Sequence, residues 1–508
     1  MSARPPTTGP LWAQLFALDE GSGLPLQSRL RAKVVQAILD GRLAAGAALP
    51  SSRDLAQTLG LSRNTVTAVY QQLVDEAYLE ARPRSGVFVR QDARPASIGE
   101  AAAIVDPFSR DGASNGAPPQ WSARVLRSLR AMPTLSKPAH WREVPYPFVY
   151  GTHDAQLFPT EDFRECCVRS LARSQLPHWT PDFETDDMPD LIEQIRTRLL
   201  PKRGVFARSE EILVTVGAQH ACYLVAEALF DRDTRVGFEE PGYPHARNTF
   251  SLRTSRIIGV PVDDEGLVVE SLPELDYVFV TPSHQSPTTR TLSLERRQWL
   301  LRKAALQDFV VIEDDYEAEN LYAGEPTPAL KSLDKTGRVI YIGSLSKSLS
   351  PALRLGYIVA QKALIDELRV LRHAMVRHPS AFLQHAYALF LSLGHHDSHA
   401  RRVNQAQLQR MEAALGALAA HLPEFECTRA QGGASLWVRT PDWLDGGALA
   451  LRAREHGVLI EPGDVFFAVP PRPCPYFRLR LSSIDASQIE PGIRALRDAV
   501  RVMSRERG

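Results

Sequence analysis

Apolar residues return at two different periods along this chain, and the change of period divides it. Leu30, Val34 and Ile38 fall four apart, which predicts one face of a helix that Gly41 ends. In Leu49-Pro-Ser-Ser-Arg-Asp-Leu-Ala56, Ser51 or Ser52 can cap a short helix that runs to Leu59, where Gly60 breaks it. Ser62 can cap a third helix with Val66, Val69, Tyr70 and Leu73 turned inward. Two helices joined by a glycine-containing turn predict a helix-turn-helix. Two short strands around Arg84-Ser-Gly86, closing on Val87-Phe-Val89, add a wing.

Beyond Trp141 the pattern changes. Short β runs at Glu211–Val216, Arg235–Phe238, Tyr277–Val280, Val310–Ile312 and Val339–Ile342 are separated by helical stretches. That alternation predicts an α/β body with a mostly parallel central sheet and ligand loops at the strand ends. Residues 92–140, rich in Ala, Ser, Pro and Arg, carry no sustained period and read as a linker. The expected plan is a tail over 1–22, a winged head over 23–91, the linker, and a body over 141–508.

Charge refines the picture. The chain is neutral at 508 residues, yet residues 24–90 hold nine Lys and Arg against five Asp and Glu. Nucleic acid is therefore the expected partner of the head alone. The polar start of the third helix, with Arg63, and Arg53 and Arg84 around it are where phosphates and base edges would be met. The five cysteines lack metal-ligand spacing and read as reduced core residues, so no metal site is expected. No apolar run approaches eighteen residues and no leader is evident, which points to the cytoplasm.

The chemistry concentrates at the strand ends of the body. Lys347 stands among Ser344, Ser346 and Ser348, with Arg354 seven positions on. An amine beside hydroxyls and a fixed cation is what pyridoxal 5'-phosphate requires, for a Schiff base and for its dianionic phosphate. Gly217-Ala218-Gln219-His220 opens a helix and offers free backbone N–H groups to a phosphate. Glu313-Asp314-Asp315-Tyr316 follows an apolar strand, and a carboxylate there is costly unless paired. Phe477-Arg478-Leu-Arg480 reads as a strand with both arginines on one side.

Taken together, Leu49-Pro-Ser-Ser-Arg-Asp-Leu-Ala, Leu61-Ser-Arg-Asn-Thr-Val and Gly86-Val-Phe-Val resemble the winged helix of GntR-type repressors. The rest resembles the aspartate aminotransferase fold, and the order of the two resembles the MocR (GabR-type, PdxR-type) regulators. The resemblance implies DNA contacts at Arg53, Ser62, Arg63, Asn64, Thr65 and Gly86. It implies cofactor contacts at Gly217, Ala218, Gln219, Tyr243, Asp314, Tyr316, Ser344, Ser346, Lys347 and Arg354, with Tyr243 stacked on the ring. Asp314, rather than Asp315, would hold the pyridine nitrogen, and Tyr316 would donate to the phenolic oxygen. Arg480, rather than Arg478, would hold a carboxylate of an amino-acid or amine effector, and His284 could be either a site residue or a core histidine. Ser286 and Thr289 depart from the enzyme pattern, which has Asn and Gly there. The implied function is a homodimeric, cofactor-dependent transcriptional regulator that senses its effector by aldimine exchange at Lys347. The alternative is a working aminotransferase with a vestigial head.

Overall fold

Ser51 and Ser62 are where the head begins to take shape, each accepting the backbone N–H three residues on (Asp54 and Thr65) at 3.1 Å. The structure, a computed structural model, describes residues 9–18, 25–83, 85–91, 120–125, 132–149, 154–182, 186–317, 319, 327–345, 347, 349–427, 430, 432–482 and 484–507. It divides into two units, Met1–Leu126 and Arg127–Gly508.

In the first unit, α1 (Gly9–Leu15), α2 (Leu26–Leu39), α3 (Ser52–Leu59) and α4 (Arg63–Asp75) precede the antiparallel strands β1 (Leu79–Arg82) and β2 (Gly86–Val89). Gly60, in the left-handed region at φ 65°, ends α3. The predicted inward positions Leu30, Val34, Ile38, Val66, Val69, Tyr70 and Leu73 all lie in one apolar core. Within the stretch 1–22, read above as a tail, Trp12, Leu15, Phe16 and Leu18 belong to that core. Phe16 is fully buried there, with Trp12 stacked on it at 5.6 Å. Trp12 and Phe16, four residues apart, share one face of the helix, which turns both toward the core. The wing is anchored where Leu49 N–H donates to Val87 O and Val89 N–H to Ala47 O, both at 2.9 Å. Of the linker, Trp121–Arg124 form a single helical turn, and residues 92–119 lie outside the described residues, as does Arg84.

The second unit is built on an eight-stranded sheet. Its strands are β3 (Ile212–Thr215), β4 (Val236–Glu240), β5 (Ile257–Asp263), β6 (Gly266–Leu267), β7 (Tyr277–Val280), β8 (Val310–Asp315), β9 (Val339–Ser344) and β10 (Gly356–Val359). They are ordered β3-β10-β9-β8-β7-β4-β5-β6. Pairings among β4, β5, β7, β8 and β9 are parallel, while β10 runs antiparallel to both its neighbours and β6 to β5. The sheet is thus mixed but mostly parallel, and the loops leaving β3, β4, β7, β8 and β9 emerge at the same edge. A second sheet, from β11 (Glu426–Cys427), β12 (Ser435–Arg439), β13 (Glu461–Pro462) and β14 (Tyr476–Arg480), is ordered β11-β12-β14-β13. It has its own core with the helix 486–507. Among the described residues, no helix is long and apolar enough to cross a membrane.

Candidate functional site

In the head, the six residues expected to meet DNA lie at the starts of α3 and α4 and at the wing. Arg53, Ser62, Arg63, Asn64 and Gly86 are exposed and Thr65 is half-buried. Among the described residues Arg53 and Arg63 form no ion pair, so both guanidinium groups are available to an incoming polyanion. Ser62 Oγ is committed to the cap, leaving Arg63 and Asn64 as the first outward side chains of α4. Behind them, the glutamate Glu76 accepts Arg31 Nε and Gln72 Nε2 at 3.0 and 2.8 Å, tying α2 to the far end of α4.

In the body, the strand ends converge on one cavity, lined by Tyr243, His245, Ser286, Asp314, Tyr316, Ser344, Lys347, Arg478 and Arg480 among others. β3 leaves the sheet at Val216 and enters the helix α5 (Gly217–Leu229), whose first turn has no side-chain cap. Uncapped N–H groups at a helix start are an anion site. Arg354, itself left-handed at φ 54°, reaches across and donates through Nη2 to Val216 O at 3.1 Å. A Cβ on Gly217 would stand 3.2 Å from the Arg354 guanidinium, and one on Gly356 would stand 2.9 Å from Gly217 C. Glycine at both positions therefore keeps the cup of N–H groups and guanidinium open. Ser344 ends β9 at the cavity wall, and Ser346 lies outside the described residues. The side chain of Gln219 is turned to Thr249 Oγ1 at 2.5 Å, so only its backbone serves the cup.

The two aspartates at the end of β8 are in opposite states. Asp315 is buried, but Arg203 Nε at 2.8 Å and the Tyr341 hydroxyl at 2.9 Å donate to it. Burial alone would raise its pKa; Arg203 holds it below the ordinary range. Asp314 is equally buried and accepts no hydrogen bond from a described residue, whereas Asp315 leaves only its Oδ1 without a partner. Burial pushes this carboxyl up to about 7, against the pull of Lys347. An unpaired buried carboxyl facing a cavity is what a cationic ring nitrogen would complete. The Lys347 ammonium lies 5.4 Å from the Tyr316 ring centroid, and burial raises the Tyr316 phenol well above its usual range, so it remains a donor. Tyr243 faces the cavity next to His245, with ring centroids 5.5 Å apart. Pyridoxal 5'-phosphate fits this donor set: a cup for its phosphate, an orphaned carboxyl for its nitrogen, an aromatic wall and an amine.

Other residues fall differently from expectation. Both Arg478 and Arg480 reach the cavity, and each has a buried carboxylate the sequence reading missed: Glu461 at 2.6 Å and Glu317 at 2.5 Å respectively. Glu317 directly follows Tyr316, and Glu461 faces Arg478 across β13 and β14. A second acid after a strand end was the only local signal for the first; nothing local signals the second. His284 is buried beside Glu317, its Nδ1 without a partner, and does not line the cavity. Thr289 occupies the left-handed region at φ 62° where the enzyme pattern has glycine, and Ser286 lines the cavity.

Comparison with known proteins gives the same division. Residues 26–89 match the gntR family of bacterial regulatory proteins, and residues 183–496 match aminotransferase class I and II. The chain is 40% identical to the HTH-type transcriptional regulator TauR of Rhodobacter capsulatus, covering 96% of this chain and 99% of that protein. It is 31% identical to the probable rhizopine catabolism regulatory protein MocR of Rhizobium meliloti, covering 96% of each. Among solved structures, kynurenine aminotransferase of Pyrococcus horikoshii superposes with a TM-score of 0.67 at 27% identity, covering 72% of this chain and 95% of that one.

Proposed function

The chain belongs to the MocR subfamily of gntR-family transcriptional regulators, and from that premise we propose that its body senses an amine through pyridoxal 5'-phosphate held at Lys347. The observation that carries the reading is Asp314, whose unpartnered buried carboxyl shares a cavity with Lys347. When bound, the cofactor supplies an aldehyde carbon to which amines link reversibly, so Lys347 and an effector amine compete for one atom. Asp314 would hold the ring nitrogen, Tyr243 would cover a ring face, and Tyr316 would donate to the phenolic oxygen. The N–H groups of Gly217, Ala218 and Gln219, with Ser344, Ser346 and Arg354, would hold the phosphate. Lys347 would hold the cofactor through its amine, and Arg478 and Arg480, which line the same cavity, would face an acidic group of the effector. The head binds double-stranded operator DNA in the cytoplasm; a homodimer would present two heads to two half-sites.

The test couples both ends. Full-length protein should be yellow, and an amine that shifts its absorbance should change its affinity for promoter DNA of its own gene over the same concentration range. A spectral response accompanied by steady turnover and an unaltered DNA affinity would favour the aminotransferase alternative.

A further inference from the structure

We infer that residues 133–137, the end of the linker, form a strap across the cavity, and that an amine large enough to displace Leu135 releases it. The inference rests on the amine-sensing reading above and adds the route by which an occupied cavity reaches the linker. Pro133, Thr134 and Ser136 are exposed, whereas Leu135 between them is half-buried and lines the cavity with Tyr243, His245 and Lys347. Leu135 therefore stands between the cavity and solvent. Every other described lining residue belongs to the two sheets or to the loops and helices that follow their strands. Leu135 comes from the segment that leads back toward the head, so it is the wall through which the linker can register what the cavity holds.

The strap is held differently at its two ends. Downstream, Trp141 is buried against Val149 and Leu459, and Tyr146 and Phe148 donate their backbone N–H groups to Gly457 O and Leu459 O at 3.1 and 2.9 Å. That end cannot leave without opening a core. Upstream, Asn248 Nδ2 donates to Pro133 O at 2.7 Å. This post is itself fixed. Asn248 belongs to the helix α6 (Pro244–Phe250), which Arg247 ties to Val465 O, Phe466 O and Phe467 O at 2.9, 3.0 and 3.1 Å. Residues 133–138 lie in no helix or strand, so no ladder of backbone bonds reinforces the hold. An exposed hydrogen bond and a half-buried leucine make a weak clasp, which ligand bulk at Leu135 overcomes. Once released, the strap pivots at Trp141, and the chain upstream of it is the linker itself.

The experiment uses full-length protein carrying pyridoxal 5'-phosphate and two primary amines, methylamine and hexylamine. Both should shift the cofactor's absorbance, but only hexylamine, with the bulk to displace Leu135, should change the affinity for promoter DNA, by about fivefold or more. Asn248→Ala removes the upstream hold without altering a residue that lines the cavity. Without amine it should bind the promoter as the wild type does with hexylamine, and hexylamine should then add nothing. Its half-saturation by hexylamine should fall about fivefold, the share that one hydrogen bond opposes, while that by methylamine stays put. Leu135→Ala should behave alike. Variants that keep the wild-type response of DNA affinity to hexylamine overturn the strap, as does methylamine acting on DNA as strongly as hexylamine; either result leaves amine sensing intact. A shifted band with DNA affinity unaltered by both amines would overturn the two readings together, as would a band that neither amine moves.

Discussion

Asp314 is poorly placed until a cation meets it, and pH exposes this. With its carboxyl pushed up to about 7 in the fold, it stays neutral where the unfolded chain has already released its proton. The folded protein therefore holds more protons between about pH 4 and 7, and stability falls as pH rises through that window. Glu239 and Glu313, also raised to about 7, chiefly by burial, act in the same direction. Asp314→Asn should flatten part of the fall in Tm of cofactor-free protein from pH 5 to 8, and should weaken cofactor binding at pH 8. A steeper fall in the variant would contradict the burial argument. Lys347 makes a separate demand. Borohydride should fix the cofactor onto the peptide containing Lys347, and Lys347→Ala should abolish the link. Lys303 and Lys331 are poor rivals, because their ammonium groups already donate to the carbonyls of Leu272 and Val339 at 2.8 and 2.7 Å. A label on either would sink the assignment.

At the scale of elements, the head stands on its caps. Ser62→Ala removes the acceptor for Thr65 N–H and should cost about 1 kcal/mol, a lowering of the head's Tm by roughly 4–8 °C. Arg63→Ala should weaken operator binding by about 1–3 kcal/mol and relax specificity if it reads a base edge. Arg53→Ala, meeting phosphate, should weaken every sequence alike and flatten the salt dependence. Unchanged promoter binding by the double variant would rule out this surface as the reader. These helices were legible in the sequence because their period, caps and breaking glycines agree. Strands β8 and β9 were legible as apolar runs whose final polar residues carry the chemistry. β10 was not: four residues, Gly356-Tyr-Ile-Val359, are too few to declare a strand, and nothing local marks one running antiparallel between parallel neighbours. The ion pairs of Arg478 and Arg480 escaped for a related reason, since each joins residues that only the folded sheets bring together. The helix at Gly9–Leu15 was hidden because a few apolar residues gain meaning only against a core.

For the whole molecule, two functions in one chain make a thermodynamic statement. If an amine changes operator affinity by some factor, operator DNA must change the amine's affinity by that same factor. Titrating the absorbance change with and without promoter DNA should recover the ratio measured by DNA binding, and unequal ratios would mean that the two events are not linked at equilibrium. Residues 1–126 alone should bind the promoter more weakly than the full chain, as a single head loses the paired contacts of a dimer. Finally, β9 ends at Ser344 and its antiparallel neighbour β10 begins at Gly356, and the one connection between them carries both Lys347 and Arg354. Neighbouring antiparallel strands can be joined by as few as about two residues. One short deletion would thus remove Lys347 and Arg354 together while leaving the sheet in register. A relative that gave up the cofactor would have a one-step route, and its sequence should show a shortened hairpin rather than scattered substitutions.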